Sequence, residues 1–293
     1  TIIKGVNMSF ISTVEKNENK IILYKSGVPE IEKTESDNTV SVCFMDTETT
    51  GTDKENDKII EIALKRLLVD LSAYEIHDIC EEYQSFNDPD EPLEKKINII
   101  TGITDEMVDG HTIDMKKVDA ILSGSDIVVA HNAKFDRGFL DKISNVSKDS
   151  VWACTLDDID WISRGFSNRK QVLLCHWHGF YFDAHRAMND VDALIHLITH
   201  PFYQNNRPLE ELIVNAGKPL YLIKATNFPY NEKKKDTIKA NGYGWNMDER
   251  VWSKRVLFDE LEAEKEWLTG VIYDEHFNGI VEEINLVDKY KWR

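Results

Sequence analysis

Strand-type and helix-type patterns alternate through the middle of the chain, from Val40 to about Tyr203. KIIEIALKRLLV (58–69) reads as a strand, DIVVAH (126–131) as a short buried strand, and VDALIHLI (191–198) as a helix. Such alternation packs helices onto a sheet, so an α/β domain is predicted over residues 39–203. Before it, β-like runs around 10–14 and 21–24 are split by the polar turn KNENK. They predict a β-hairpin extension over 1–38 that ends in the charged linker KTESDNT. After it, polar QNNRPLEE (204–211) marks a second boundary. Residues 204–293 are then expected to form a small α+β module: a strand, a helix ending near Gly242, a hairpin and a helix over 257–273.

Charge narrows the function. The chain carries 35 basic and 52 acidic side chains, a formal charge of −17. That argues against gripping nucleic acid by bulk positive charge, and leaves room for a local basic patch or an acidic site that binds cations. No run approaches the roughly 18–20 apolar residues of a membrane span. TIIKGVNMSFIS, at the start of the sequence, has no apolar core of a secretory signal. Cys43, Cys80, Cys154 and Cys175 are scattered without a C-x-x-C pair, which suits buried thiols in a reducing cytoplasm.

Three acidic fragments carry the chemistry. In SVCFMDTETTG (41–51), Val42, Phe44, Asp46 and Glu48 share one face of a strand. The two acids lie about 6.5–7 Å apart at Cα. Carboxylates this close on a half-buried face raise each other's pKa unless a cation sits between them, and Mg²⁺ prefers oxygen ligands. Alone, D-x-E is more often a solvated strand end. In VVAHNAKFDRGFLDKI (128–143), a strand feeds a helix with Asn132 as its N-cap. Asp136 falls on the apolar stripe of Phe139, Leu140 and Ile143, so it needs a partner, for which Lys134 and Arg137 are the bland candidates. In DAHRAMNDVDALIHLI (183–198), Ala187, Val191, Leu194 and Ile198 form a helical stripe with Asp190 on its edge and His185 at the helix mouth. A His beside a metal–carboxylate cluster suits proton transfer near neutral pH. Four carboxylates gathered by one sheet could hold two divalent ions, an arrangement suited to in-line hydrolysis of a phosphodiester.

DTETTG (46–51), HNAKFD (131–136) and HRAMND (185–190) resemble the three motifs of the DEDDh, DnaQ-like 3′–5′ exonucleases, among them the proofreading epsilon subunits. ITGITDEMV (100–108) is similar to the family's segment between the first two motifs. The H-x-x-x-x-D form of the third motif is that of the DEDDh branch. The resemblance covers about residues 39–203 and implies a ribonuclease H-like fold, a mixed sheet flanked by helices. It further implies two Mg²⁺ or Mn²⁺ ions, with Asp46, Glu48 and Asp190 on the first, Asp46 and Asp136 serving the second, and His185 as general base. Thr47, Thr49 and Asn132 match the family's contacts to the terminal nucleotide, with His131 and Phe135 as further candidates. Thr101 stands where some proofreading relatives carry a His that touches the terminal nucleotides.

The implied substrate is single-stranded nucleic acid, with DNA favoured over RNA. The extensions at both ends suit a polymerase or other protein partner, or a second copy of the chain. Residues 224–255 mix eight Lys/Arg and four Asp/Glu with aromatic rings. Lys234, Lys235, Tyr243, Trp245 and Trp252 therefore make a candidate nucleic-acid face, against the reading that the rings are core and the lysines a solvated helix face. Cys175, His176 and His178 lack the second ligand pair of a structural zinc site and read as packing.

Overall fold

A computed structural model describes residues 16–17, 20–26, 36–274 and 276–292. The chain divides into two compact units, residues 1–215 with 290–293, and residues 216–289. The division falls at Ala216, later than the polar stretch 204–211. The helix Pro208–Ala216 buries Leu209 and Leu212, and its Glu211 carboxylate accepts from the Arg164 guanidinium and the Asp160 amide. It is thereby tied into the first unit.

The first unit is built on a five-stranded sheet: β1 (Thr39–Thr49), β2 (Ile59–Asp70), β3 (Glu75–Phe86), β4 (Ile127–Ala130) and β5 (Trp152–Cys154), in the order β3-β2-β1-β4-β5. The β1–β2 and β2–β3 pairs are antiparallel, and β1–β4 and β4–β5 are parallel. β1 is central because both its faces are apolar. Cys43 and Met45 join the core with α1 (Met115–Ser123) and α2 (Ala133–Ile143). Val42 and Phe44 are buried on the opposite face, on the side of α3 (Ala187–Ile198). The mixed sheet flanked by helices is the architecture expected. α2 passes close to Lys54 because residue 138 is Gly: a Cβ there would lie 2.3 Å from the Lys54 side chain.

In the extension expected to be a hairpin, the run around 10–14 lies outside the described residues. Lys16–Asn17 pairs antiparallel with Lys20–Ile21, and Tyr24–Lys25 pairs parallel with Phe180–Tyr181. Among the cysteines, Cys43, Cys154 and Cys175 are buried and Cys80 is half-buried, all as free thiols.

The second unit is an antiparallel sheet with two main helices. Its elements are β6 (Leu220–Ala225), α4 (Glu232–Ala240), β7 (Gly244–Asn246), β8 (Val251–Leu257), α5 (Phe258–Trp267) and β9 (Ile280–Ile284), with sheet order β7-β8-β6-β9. The long last helix expected over 257–273 is α5 continued by a π-helical turn, Leu268–Tyr273. Asn231 caps α4 by accepting from the Lys234 amide at 2.8 Å.

Candidate metal-binding active site

β1 delivers Asp46 and Glu48 to the face that α3 covers, and α3 brings Asp190 in its first turn. One carboxylate oxygen from each of Asp46, Glu48 and Asp190 lies within 4.8 Å of the others. Asp190 is held by the chain that leads into its helix: Oδ2 accepts from the His185 amide at 2.8 Å and the Arg186 amide at 3.2 Å. Those bonds and the helix N-terminus favour its charged form, yet burial still pushes its pKa up to about 6. Burial, then the charges of Asp190, Glu61 and Asp136, raises Glu48 to about 8. Asp46 is raised well above the carboxylate range by burial, then by Asp136, Asp190 and Glu48. The site thus crowds hard oxygen donors without enough positive charge to balance them. That is the donor chemistry a divalent cation such as Mg²⁺ or Mn²⁺ requires.

Asp136 adjoins this group from the other side of the strand. It is 2 % exposed, and its Oδ1 accepts from the Thr47 amide at 3.1 Å and the Thr47 hydroxyl at 2.8 Å. Its partner is thus Thr47 rather than Arg137, which is paired with Asp141. Burial raises Asp136 to about 7 against the pull of the Thr47 bonds. On the expected stripe of α2, Phe139 and Leu140 are buried but Ile143 is half exposed, because the last turn runs out of the core.

The residues expected at the nucleotide separate into two groups. Asn132 is exposed at a left-handed φ of 70° and makes no side-chain capping bond; its carbonyl accepts from the Phe135 amide instead. His185 is exposed, also at a left-handed φ of 68°. The others turn inward. The Thr47 hydroxyl is committed to Asp136, and the Thr49 hydroxyl donates to the Gly51 carbonyl at 2.6 Å. His131 Nδ1 meets the Thr155 hydroxyl at 2.9 Å, its Nε2 is buried, and burial lowers its pKa to about 4. Phe135 packs on Phe139 at 5.1 Å and under the Lys54 ammonium at 4.5 Å, which makes it largely a packing residue. Thr101 is likewise internal: its hydroxyl donates to the Ile97 carbonyl and accepts from the Ile103 amide.

Four residues of the site were missed in the sequence. Glu61 on β2 is the register partner of Glu48 and is fully buried. It accepts from Arg186 at 3.0 and 3.2 Å, from Gln84 at 2.8 Å and from the first amide of α3, Ala187, at 3.1 Å. Together these donors fix the helix that carries Asp190. An acid inside the apolar run IIEIAL was the available signal for Glu61. Nothing in the sequence marks Arg186 or Gln84 as its partners. Lys54, buried in the first unit, donates to the carbonyls of Lys134 and Phe135, and its charge acts on Asp136. No local pattern marks it either. The N-terminal strand also reaches this neighbourhood. Lys25 pairs with Asp183 at 2.6 Å, two residues before His185, and the Ser26 amide donates to the Tyr181 carbonyl.

The candidate face of the second unit is only partly a surface. Tyr243 and Trp252 are 4 % and 6 % exposed and belong to its core, because their rings fill the space between sheet and helices. Lys234 is paired with Asp274 and Lys235 with Glu232. Trp245 is 46 % exposed.

His178 is buried with Nδ1 on the Leu174 carbonyl and Nε2 on the Tyr203 hydroxyl, so its nitrogens are used in packing. Among the described residues no helix is long and apolar enough to cross a membrane.

A family model described as exonuclease, of RNase T type, matches residues 43–198. A DNA polymerase III of PolC type from Listeria welshimeri is 32 % identical over 166 residues, 53 % of this chain and 11 % of that protein. The PolC-type polymerase of Bacillus subtilis is 34 % identical over 161 residues, 52 % of this chain and 11 % of that protein. The chain thus matches about a tenth of the length of these relatives. In structure it is similar to E. coli exonuclease I in complex with single-stranded DNA, with TM-score 0.50, 17 % identity, and coverage of 74 % of this chain and 63 % of that one. That likeness concerns the fold, which is ribonuclease H-like. With the family match spanning more than half of its length, the chain belongs to the exonuclease family, in the DEDDh, DnaQ-like branch.

Proposed function

We propose that the chain is a metal-dependent 3′–5′ exonuclease that removes nucleoside 5′-monophosphates from single-stranded DNA. The observation that carries this reading is the convergence of the Asp46, Glu48 and Asp190 carboxylates, each raised in pKa by burial, and Asp46 and Glu48 also by the neighbouring carboxylates. Asp46, Glu48 and Asp190 would hold one divalent ion. Asp46 and Asp136 would serve a second, with Asp136 offering Oδ2 because Oδ1 is taken by Thr47. Bound there, Mg²⁺ or Mn²⁺ supplies Lewis-acid polarisation of the phosphoryl group and neutralises charge that develops in the displacement. His185 takes the proton of the attacking water, from an exposed position whose backbone is tied to Asp190. Asn132, exposed beside the motif that carries Asp136, is the polar side chain available to the terminal nucleotide.

DNA is favoured over RNA by the PolC-type relatives, which are DNA polymerases. The same relatives support a second reading, in which the chain works beside a polymerase. The test uses 5′-labelled single-stranded DNA and matched RNA with Mg²⁺ or Mn²⁺, beside an Asp46→Ala control. A metal-dependent ladder shortening from the 3′ end, lost in the control, is expected, with DNA the faster substrate. Equal activity in the control would sink the catalytic reading. Faster RNA cleavage would reverse the substrate preference. Activity appearing only when a polymerase is added would favour the second reading.

A further inference from the structure

We infer that a cleft in the second unit is a separate binding site for single-stranded nucleic acid, with an unpaired base stacked on Trp245 and the flanking phosphates on Lys239 and Arg250. The cleft encloses about 700 Å³ and is lined by Phe228, Tyr230, Lys239, Trp245, Arg250 and Trp252, among others. That volume is in the range of small-ligand sites.

Its floor is fixed. Trp252 is buried, meets Trp245 edge-on at 5.2 Å, and lies 6.4 Å from the Phe228 ring. Its walls are open. Trp245 on the edge strand β7 is 46 % exposed and Tyr230 is 66 % exposed. Two aromatic rings left to water beside a packed ring cost hydrophobic stabilisation, and a π-face is what an unpaired base stacks on.

The charges point to an anionic occupant. Lys218, Lys224, Lys234, Lys235, Lys254 and Lys265 are each paired with a carboxylate of their own unit. Four exposed cations of the unit, Lys233, Lys239, Arg250 and Arg255, form no ion pair among the described residues, and of these Lys239 and Arg250 line the cleft. The Lys239 ammonium instead sits 5.7 Å from the Trp252 ring. Arg250 holds a left-handed turn position, φ 51°, which is unfavourable for a residue with a β-carbon. The acid lining the cleft, Glu249, is paired with Lys224 at 2.6 Å, an ammonium it shares with Glu282 at 2.9 Å. Rings with unpaired cations are the two components of sequence-tolerant single-strand binding. The site is independent of hydrolysis and of the carboxylate cluster.

The experiment measures binding of fluorescent 24-mers, oligo(dU) and oligo(rU), which differ in the sugar alone, to the full chain with metal chelated, over a series of salt concentrations. Trp245→Ala should weaken binding about tenfold, as loss of one stacked base does. The pair Lys239→Glu with Arg250→Glu should flatten the plot of log affinity against log salt by about 1.4, two phosphate contacts on a single strand. Weakening of both polymers would assign the shared chemistry of base and phosphate, and weakening of one would assign its sugar. Hydrolysis of thymidine 5′-(p-nitrophenyl phosphate) should be unchanged in every variant and should require Asp46. Variants that retain wild-type thermal stability, affinity and salt slope would overturn the cleft. Failure of the wild type to cleave the ester would count against the proposed catalysis and leave the cleft standing.

Discussion

Glu48 and Glu61 face each other in register across β1 and β2, yet their surroundings are opposite. Glu61 is fully buried and surrounded by donors: the Arg186 guanidinium, the Gln84 amide and the backbone of Ala187. Glu48 is half-buried and surrounded by acids, so its proton is held up to about pH 8. A buried carboxylate met by converging donors braces the fold. A carboxylate met by other carboxylates destabilises the metal-free fold and awaits a cation. The difference teaches that acid content alone does not mark a metal site; the identity of each acid's partners does.

The sharpest way to break the comparison is to neutralise each side. Asp46→Asn should lower kcat/KM on single-stranded DNA by about 10³-fold or more, the scale of lost metal charge stabilisation, while the folded protein persists in a thermal melt. Glu61→Ala should instead act first on stability. Urea unfolding should register a loss of about 3 kcal/mol, because Arg186 and the start of α3 lose their buried partner. Glu48→Gln should leave metal-free stability equal or higher. If Glu48→Gln and Glu61→Ala cost the same, the two glutamates are not different in kind.

Acidity sharpens the same contrast. Glu48, Asp136 and Asp190 have folded pKa values raised above those of an unfolded chain, to about 8, 7 and 6. The folded state therefore binds more protons, and the contribution is fully present below about pH 4 and lost as pH rises towards 8. With metal chelated, Tm should fall as pH rises from about 6.5 to 8, above the range in which histidines titrate, and Glu48→Gln should flatten the fall. Mg²⁺ or Mn²⁺ should raise Tm at pH 8 in the wild type, and by less in Glu48→Gln. The buried histidines act with the opposite sign. Burial lowers His178 to about 3 and His200 to about 4. Their contribution is present above the unfolded value near 6.5 and is lost as pH falls below it. The acid limb should persist in Glu48→Gln; an acid limb that disappears with Glu48 would refute the assignment to histidine. The smallest effect is expected at Lys25→Ala. This exposed pair with Asp183 is screened by solvent, so ester hydrolysis should change by less than about twofold.

Much of this protein was determined by local sequence. The period-2 pattern of β1 set Asp46 and Glu48 on one face, since alternation along a strand is a property of the backbone. The 3.6-residue stripe of Ala187, Val191, Leu194 and Ile198 fixed which side of α3 is buried, and Asp190 came with it. The strand, helix, hairpin and helix of the second unit follow from the same periodicities. Tertiary structure decided what depends on residues far apart in the chain. Glu61 meets Arg186 across 125 positions, Thr47 meets Asp136 across 89, and Lys54 meets the carbonyl of Phe135 across 81. Those contacts chose which acid braces the sheet and committed the Thr47 hydroxyl to Asp136, and the Arg164–Glu211 pair, 47 positions apart, likewise tied the helix Pro208–Ala216 into the first unit. Tyr243 and Trp245 are separated by one residue and by the same rule of aromatic content, yet packing buried one and left the other exposed. The physical reason is common to all these cases: periodicity fixes the direction of a side chain relative to its own element, whereas its partners and its dielectric surroundings are set only when a second element arrives.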